Sequence, residues 1–200
     1  NFADAGKWAG GAPEMFWLAR RFSRPAYTTY EQGQWWRGDP MALIWFVLPQ
    51  EMPAPEPPPR CALFRGVDVA FMRSGWDRDA AFAGFKGGDN RVNHGHLDLG
   101  TFVLDADGVR WVMDLGGGDY ALPGYFGDKR WSYYRLRTES HNVICFGGQN
   151  QDTRAAAPLT AFHCSDGTAC AVCDLSDAYA EHAHSARRGV ALLEGPLLLV

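Results

Sequence analysis

The hydrophobic pattern changes period once along the chain. Up to residue 48 the apolar positions recur at helical spacing. PEMFWLARRF, residues 13–22, opens on a proline suited to a first helical turn and sets Phe16, Trp17 and Phe22 beside aliphatic residues. GDPMALIWFVL, residues 38–48, repeats the plan, with Asp39 as N-cap and Pro40 at the first helical position. Both predicted helices are short and aromatic. Two or three such helices cannot cover one another, so they are expected to end a larger helical array. Next comes PQEMPAPEPPPR, residues 49–60, in which six of twelve residues are proline. Such a run favours extended, semi-rigid polyproline and marks a boundary.

Beyond that boundary the period is two. VDVAFMRS, AAFAGFKG, LGTFVLDADGVRWVMDLG, HNVICFGG, PLTAFHCS, TACAVCDLS and the final LLLV are short β-prone runs bounded by Gly, Asp and Ser. TFVLDADGVRWVMD predicts a hairpin turning at Ala106-Asp107-Gly108. Many short strands with local turns predict an antiparallel sandwich or barrel. The expected fold class is α+β: a helical segment over 1–48, a linker over 49–60, and an antiparallel β-sandwich over 61–200. The chain opens without an initiator Met and ends on PLLLV inside a predicted strand. It is therefore read as a piece of a longer protein, with the sandwich truncated at its C-terminus.

Composition narrows the function classes. Two hundred residues can bury a real core, and a formal charge of −4 argues against a general nucleic-acid binder. No apolar run approaches the roughly 20 residues of a membrane span. Five cysteines form no even framework, and the CxxC of Cys170 and Cys173 lies in a predicted strand. They are expected to be buried structural thiols.

The chemistry concentrates in GDNRVNHGHLDLGTF, residues 88–102, where His94 and His96 stand two apart with Asp98 following. Were Asn93–Leu99 extended, both imidazoles would share a face. The hairpin would return Asp114 near His96, and His141 would open another strand in TESHNVICF. His94, His96, Asp114 and His141 thus converge as candidate ligands for Zn²⁺ or another divalent ion. Asp98 is expected to hydrogen-bond an imidazole or a neighbouring turn instead of binding metal.

Three motifs in order, NHxHxD from Asn93, WxxDxGxxxY from Trp111 and RxxxHN from Arg137, resemble the C-terminal β domain of the heparinase II/III-like polysaccharide lyases. The resemblance runs from about Cys61 to the chain end and is dense from Gly87 to Gln151. It implies an (α/α) toroid before the sandwich and a uronic-acid polysaccharide, heparan-type glycosaminoglycan or alginate, cleaved by β-elimination. It further implies that Asn93 and His94 face substrate as catalytic residues, while His96, Asp114 and His141 hold a structural Zn²⁺. Tyr120, Tyr125, Arg137 and Arg91 match candidate substrate-binding positions. The family's tyrosine proton shuttle is not assigned, because no motif ties Tyr27 or Tyr30 to it. Periplasmic or secreted localisation is the corresponding expectation. Two alternatives stay open: a cupin-like metalloenzyme using both HxH imidazoles, and a non-catalytic carbohydrate-binding sandwich.

Overall fold

The computed structural model describes residues 1–6, 11–28, 31, 39–46, 58–165, 167–194 and 197–200. The chain forms two compact units, one of residues 8–59 and one of residues 1–7 with 60–200. The first residues, read from sequence as part of the helical segment, thus belong with the sandwich. Most of the proline-rich stretch lies outside the described residues, as does Tyr30.

In the smaller unit, α1 (Glu14–Phe22) and α2 (Pro40–Trp45) stand where the pattern predicts helices. The Asp39 side chain accepts from the Met41 N–H at 2.8 Å, and Pro40 takes the first helical position, where no donor is needed. Phe16 is buried and meets Phe46 edge to face, with ring centroids 5.2 Å apart.

The larger unit is an antiparallel sandwich. One sheet runs β1 (Cys61–Phe64), β2 (Val69–Arg73), β3 (Phe82–Lys86), β5 (Phe102–Ala106), β6 (Val109–Val112), in spatial order β1-β2-β3-β5-β6. The other is ordered β11-β10-β9-β8, from β8 (Leu159–Ser165), β9 (Thr168–Asp174), β10 (Arg187–Leu193) and β11 (Leu197–Leu199). A two-residue pair, β4 (Gly88–Asp89) with β7 (Ala156–Ala157), ties the loops between them. The core shows the alternation that the sequence pattern requires. Ala70 and Met72 on β2, Ala83 and Phe85 on β3, Ala171 and Cys173 on β9, and Val190 and Leu192 on β10 are all buried in one cluster. The predicted β5–β6 hairpin turns through Asp107 and Gly108, both at positive φ, as a two-residue primed turn requires.

Several expectations need correction. HNVICFGG is not a strand, and β1 and β10 were absent from the predicted set. β10 (RRGVALL) opens on two arginines and a glycine, which masks its alternation. It is a strand because β9 and β11 supply its hydrogen bonds on either side. The cysteines are not all thiols: Cys61 on β1 and Cys164 on β8 form a disulfide linking the two sheets. Their separation of 103 residues hid that pairing from sequence. Cys145, Cys170 and Cys173 are free, and the CxxC lies on β9 as a strand.

Candidate functional site

Neither His96 nor His141 sits on a strand. Residues 90–101 form a looped crossing from β4 to β5, and His94 has φ +59°. The expected extended Asn93–Leu99 is overturned because the backbone here bonds to other loops instead of to a neighbouring strand. Leu97 N–H donates to Leu136 O, Leu99 N–H donates to Gln151 Oε1, and Gln151 Nε2 returns to Leu99 O. Buried Arg130 donates to Gly95 O at 2.7 Å. The left-handed turn at His94 breaks the two-residue alternation. His94 therefore remains half exposed, while the His96 side chain is fully buried. His141 likewise follows a 3₁₀ turn, Thr138–Ser140, and opens no strand.

Hairpin β5–β6 delivers Asp114 two residues past its second strand. Its Oδ1 accepts from the Gly116 N–H at 2.7 Å, and its Oδ2 lies 3.0 Å from His141 Nδ1. Ligand-capable atoms of His96, Asp114 and His141 all lie within 4.8 Å of one another, and all three residues are buried. His96 Nδ1 and His141 Nε2 have no hydrogen-bond partner. Buried unpaired imidazole nitrogens beside a carboxylate are costly unless something coordinates them. Two imidazoles and one carboxylate match the donor preference of a first-row divalent cation.

The electrostatics suit a cation too. Burial lowers the His96 pKa, favouring the neutral, ligating imidazole. Burial pushes the Asp114 carboxyl up, but the His141 hydrogen bond and the Gly116 N–H outweigh it, and its pKa lies below the ordinary value.

Asp4, ninety residues upstream of His94, was missed by sequence reasoning. Its Oδ1 lies 2.8 Å from His96 Nε2 and its Oδ2 lies 3.1 Å from His94 Nδ1. Tyr125 donates its hydroxyl to Asp4 Oδ1 at 3.2 Å, and the Arg130 guanidinium is 3.5 Å from Oδ2. Burial raises the Asp4 carboxyl, yet the hydrogen bonds from His96 and His94 bring its pKa below the usual value. NFADAG has no period and no ligand spacing, so no local signal marks it.

The remaining candidates divide by exposure. Asn93 is exposed, and its Oδ1 accepts from the His94 N–H. Tyr120 is exposed, with its ring 5.9 Å from that of His94 and its hydroxyl 3.3 Å from His94 Nδ1. Phe126, also exposed, meets His94 edge to face. Tyr125, by contrast, is buried, its hydroxyl also accepting from the Gly118 N–H. Arg91 closes on Asp89 through its Nε, and Arg137 pairs with Glu139 at 3.4 Å. Asp98 is buried against Lys86 instead of an imidazole.

Comparison with known proteins gives this geometry a family. Residues 62–195 match the family model described as "Heparinase II/III-like, C-terminal". The chain is similar in structure to heparan sulfate lyase HepC from Pedobacter heparinus, with a TM-score of 0.65 at 18% identity, over 96% of this chain and 27% of that one. A crystal structure of heparinase III is similar at TM-score 0.66 and 20% identity, over 96% of this chain and 28% of that one. The chain thus spans about a quarter of the length of these structures. A search of curated proteins gives no match. The family model covers well over half of the chain, so this protein belongs to the heparinase II/III-like family through the C-terminal β domain that it carries.

Proposed function

We propose that this chain is part of a polysaccharide lyase that cleaves a uronic-acid polymer, a heparan-type glycosaminoglycan or alginate, by β-elimination. In that reaction C5 loses its proton, a double bond forms between C4 and C5, and the C4–O bond breaks as the leaving oxygen gains a proton. The C5 hydrogen is barely acidic while the neighbouring carboxylate is fully charged. Donors aimed at that carboxylate stabilise the charge that develops on it. The Asn93 amide is suited to donate there, the half-exposed His94 ring faces substrate beside it on the same turn, and Tyr120 and Phe126 offer faces to a sugar ring. The similar structures are a heparan sulfate lyase and a heparinase III, and the family match supports the same class.

A structural Zn²⁺ held by His96, Asp114 and His141 completes the reading. When bound, the ion supplies a rigid cross-link between the 90–101 loop, the end of β6 and the 138–141 turn. The carrying observation is the split of the HxH pair: one imidazole buried in a three-ligand cluster, the other open to solvent. A cupin-like site would use both. The Cys61–Cys164 disulfide supports a periplasmic or secreted protein, since disulfides persist in oxidising compartments.

The test is incubation of the full-length protein that contains this chain with heparan sulfate, chondroitin, hyaluronan and alginate, following the ultraviolet absorbance of unsaturated uronate. A rise with one polymer, abolished in His94→Ala with zinc content unchanged, is expected. Zinc bound but no rise on any polymer would instead indicate a carbohydrate-binding sandwich.

A further inference from the structure

The position of Asp4 has a chemical consequence for His94. A carboxylate only accepts hydrogen bonds, and the two oxygens of Asp4 are each assigned to a different imidazole: Oδ1 to His96 Nε2 at 2.8 Å, Oδ2 to His94 Nδ1 at 3.1 Å. An unprotonated nitrogen would set its lone pair against the carboxylate, so each of those nitrogens carries its hydrogen, and the Tyr120 hydroxyl, 3.3 Å from His94 Nδ1, turns its own hydrogen to Asp4. In His96 that leaves Nδ1, buried and without partner, as the nitrogen free to ligate. A metal-ligating histidine whose other N–H is held by a carboxylate is the usual arrangement for fixing its tautomer. In His94 the same logic leaves Nε2 as the atom presented to solvent.

The approach of Asp4 is built into the fold. A side chain at Gly117 would place its Cβ 2.8 Å from Asp4 Oδ1, so glycine is required there for the carboxylate to enter. A Cβ at Gly84 would fall 3.1 Å from the Phe2 ring, which lies against β3. Arg110 donates to Asn1 Oδ1 at 3.3 Å. Asp4 itself is almost fully enclosed, with its side chain 4% exposed. Three separate contacts thus fix a segment that has no regular structure of its own.

We infer that Asp4 is a positioning residue: its single carboxylate bridges the buried imidazole of His96 and the open imidazole of His94, locking His94 in the Nδ1–H form so that substrate meets Nε2. This deepens the lyase reading and rests on it for the role of His94, but the bridge itself is a property of the free protein. Holding an imidazole in one tautomer through a buried Asp is worth orders of magnitude in turnover where that ring handles protons or charge. Asp4 also couples the candidate metal cluster to the reacting ring, because one carboxylate cannot move without disturbing both.

Nitrogen-15 NMR of the histidine side chains, in the zinc-loaded chain near about pH 8 where a free imidazole is neutral, reads the bridge directly. His94 is expected to show a protonated Nδ1 and an unprotonated Nε2. Asp4→Ala should shift His94 toward the opposite tautomer, and Asp4→Glu should restore part of the native signal. If the alanine variant does not fold, Gly117→Ala, which crowds Asp4 out, serves as the second probe and should produce the same shift. A wild-type His94 in the Nε2–H form, or a tautomer indifferent to both variants, overturns the inference. Under saturating zinc, turnover on the responsive polymer should fall about 10²- to 10⁴-fold in Asp4→Ala with KM little changed. The Nδ1–H tautomer with no lyase activity on any polymer would sink the catalytic reading alone; activity with the other tautomer would sink the bridge alone.

Discussion

The β5–β6 hairpin and the loop that crosses from β4 to β5 lie side by side in sequence, yet they obey different rules. The hairpin is local: alternating residues, an Asp-Gly turn and hydrogen bonds between neighbours define it. The loop at 90–101 is held by partners far along the chain, among them Leu136, Gln151, Arg130 and Asp4. A hairpin is specified by its own residues, whereas this loop is specified by whatever surrounds it. The candidate chemistry sits on the second kind of structure, which explains why two histidines two apart end in opposite environments.

That contrast is open to direct attack, and the largest effect is expected at the buried imidazole. His96→Ala removes one ligand and leaves the Asp4 and Asp114 carboxylates facing a void. It should abolish stoichiometric zinc binding and destabilise the larger unit by about 3–5 kcal/mol, as loss of one partner from a buried charged cluster does. His94→Ala, two residues away and half exposed, should keep one zinc per chain by atomic absorption and leave the urea midpoint within error. Equal metal loss in both variants would erase the distinction between the two rings.

The disulfide between β1 and β8 is next. It closes a loop of 103 residues, and removing such a cross-link costs about 5 kcal/mol on the chain-entropy scale. Cys61→Ala with Cys164→Ala should lower the denaturation midpoint accordingly, and the native chain should yield three titratable thiols after denaturation without reductant, for Cys145, Cys170 and Cys173. Five thiols would show that the bridge does not form.

A steric test on the scaffold itself should cost somewhat less. A Cβ at Gly87 would stand 2.3 Å from the Ala157 carbonyl oxygen. Gly87→Ala should force β4 and β7 apart at about 1–3 kcal/mol, as overpacking generally does. Amide exchange localised at residues 88–89 and 156–157 would report it, and uniform exchange would not.

The smallest effect is the pH response of the metal-free protein. His96 has its pKa lowered by burial, and Asp114 has its pKa lowered by the His141 hydrogen bond against the opposing effect of burial. Both groups are depressed relative to the unfolded chain. Their stabilising contribution is present above the unfolded values and is lost as pH falls through the folded ones. The His96 contribution should fade first, below about pH 6.5, and that of Asp114 below about pH 4. Urea midpoints measured from pH 8 downward should fall in that order. A midpoint that rises on acidification from pH 7 to 5 would contradict the burial of a neutral His96.

Much of the sandwich was legible because a strand with one buried face advertises itself at period two. TACAVCD on β9 alternates half-buried and buried without exception. Where charges interrupt the alternation, as in the two arginines opening β10, the strand was invisible. The three clustered candidate ligands were legible as a set through their motifs, although the expected strands beneath His96 and His141 were wrong. Tyr120 and Tyr125 looked equivalent, but the structure opens one and encloses the other.

By itself the sequence determined both short helices, most of the strands and which family's motifs the chain carries, because those properties rest on neighbouring residues. The tertiary structure alone decided that Cys61 meets Cys164, that His94 stays in solvent while His96 does not, and that Asp4 reaches both rings. Such pairings join positions about 90 to 100 residues apart through packing and backbone turns, and no local pattern of side chains encodes a distance of that kind.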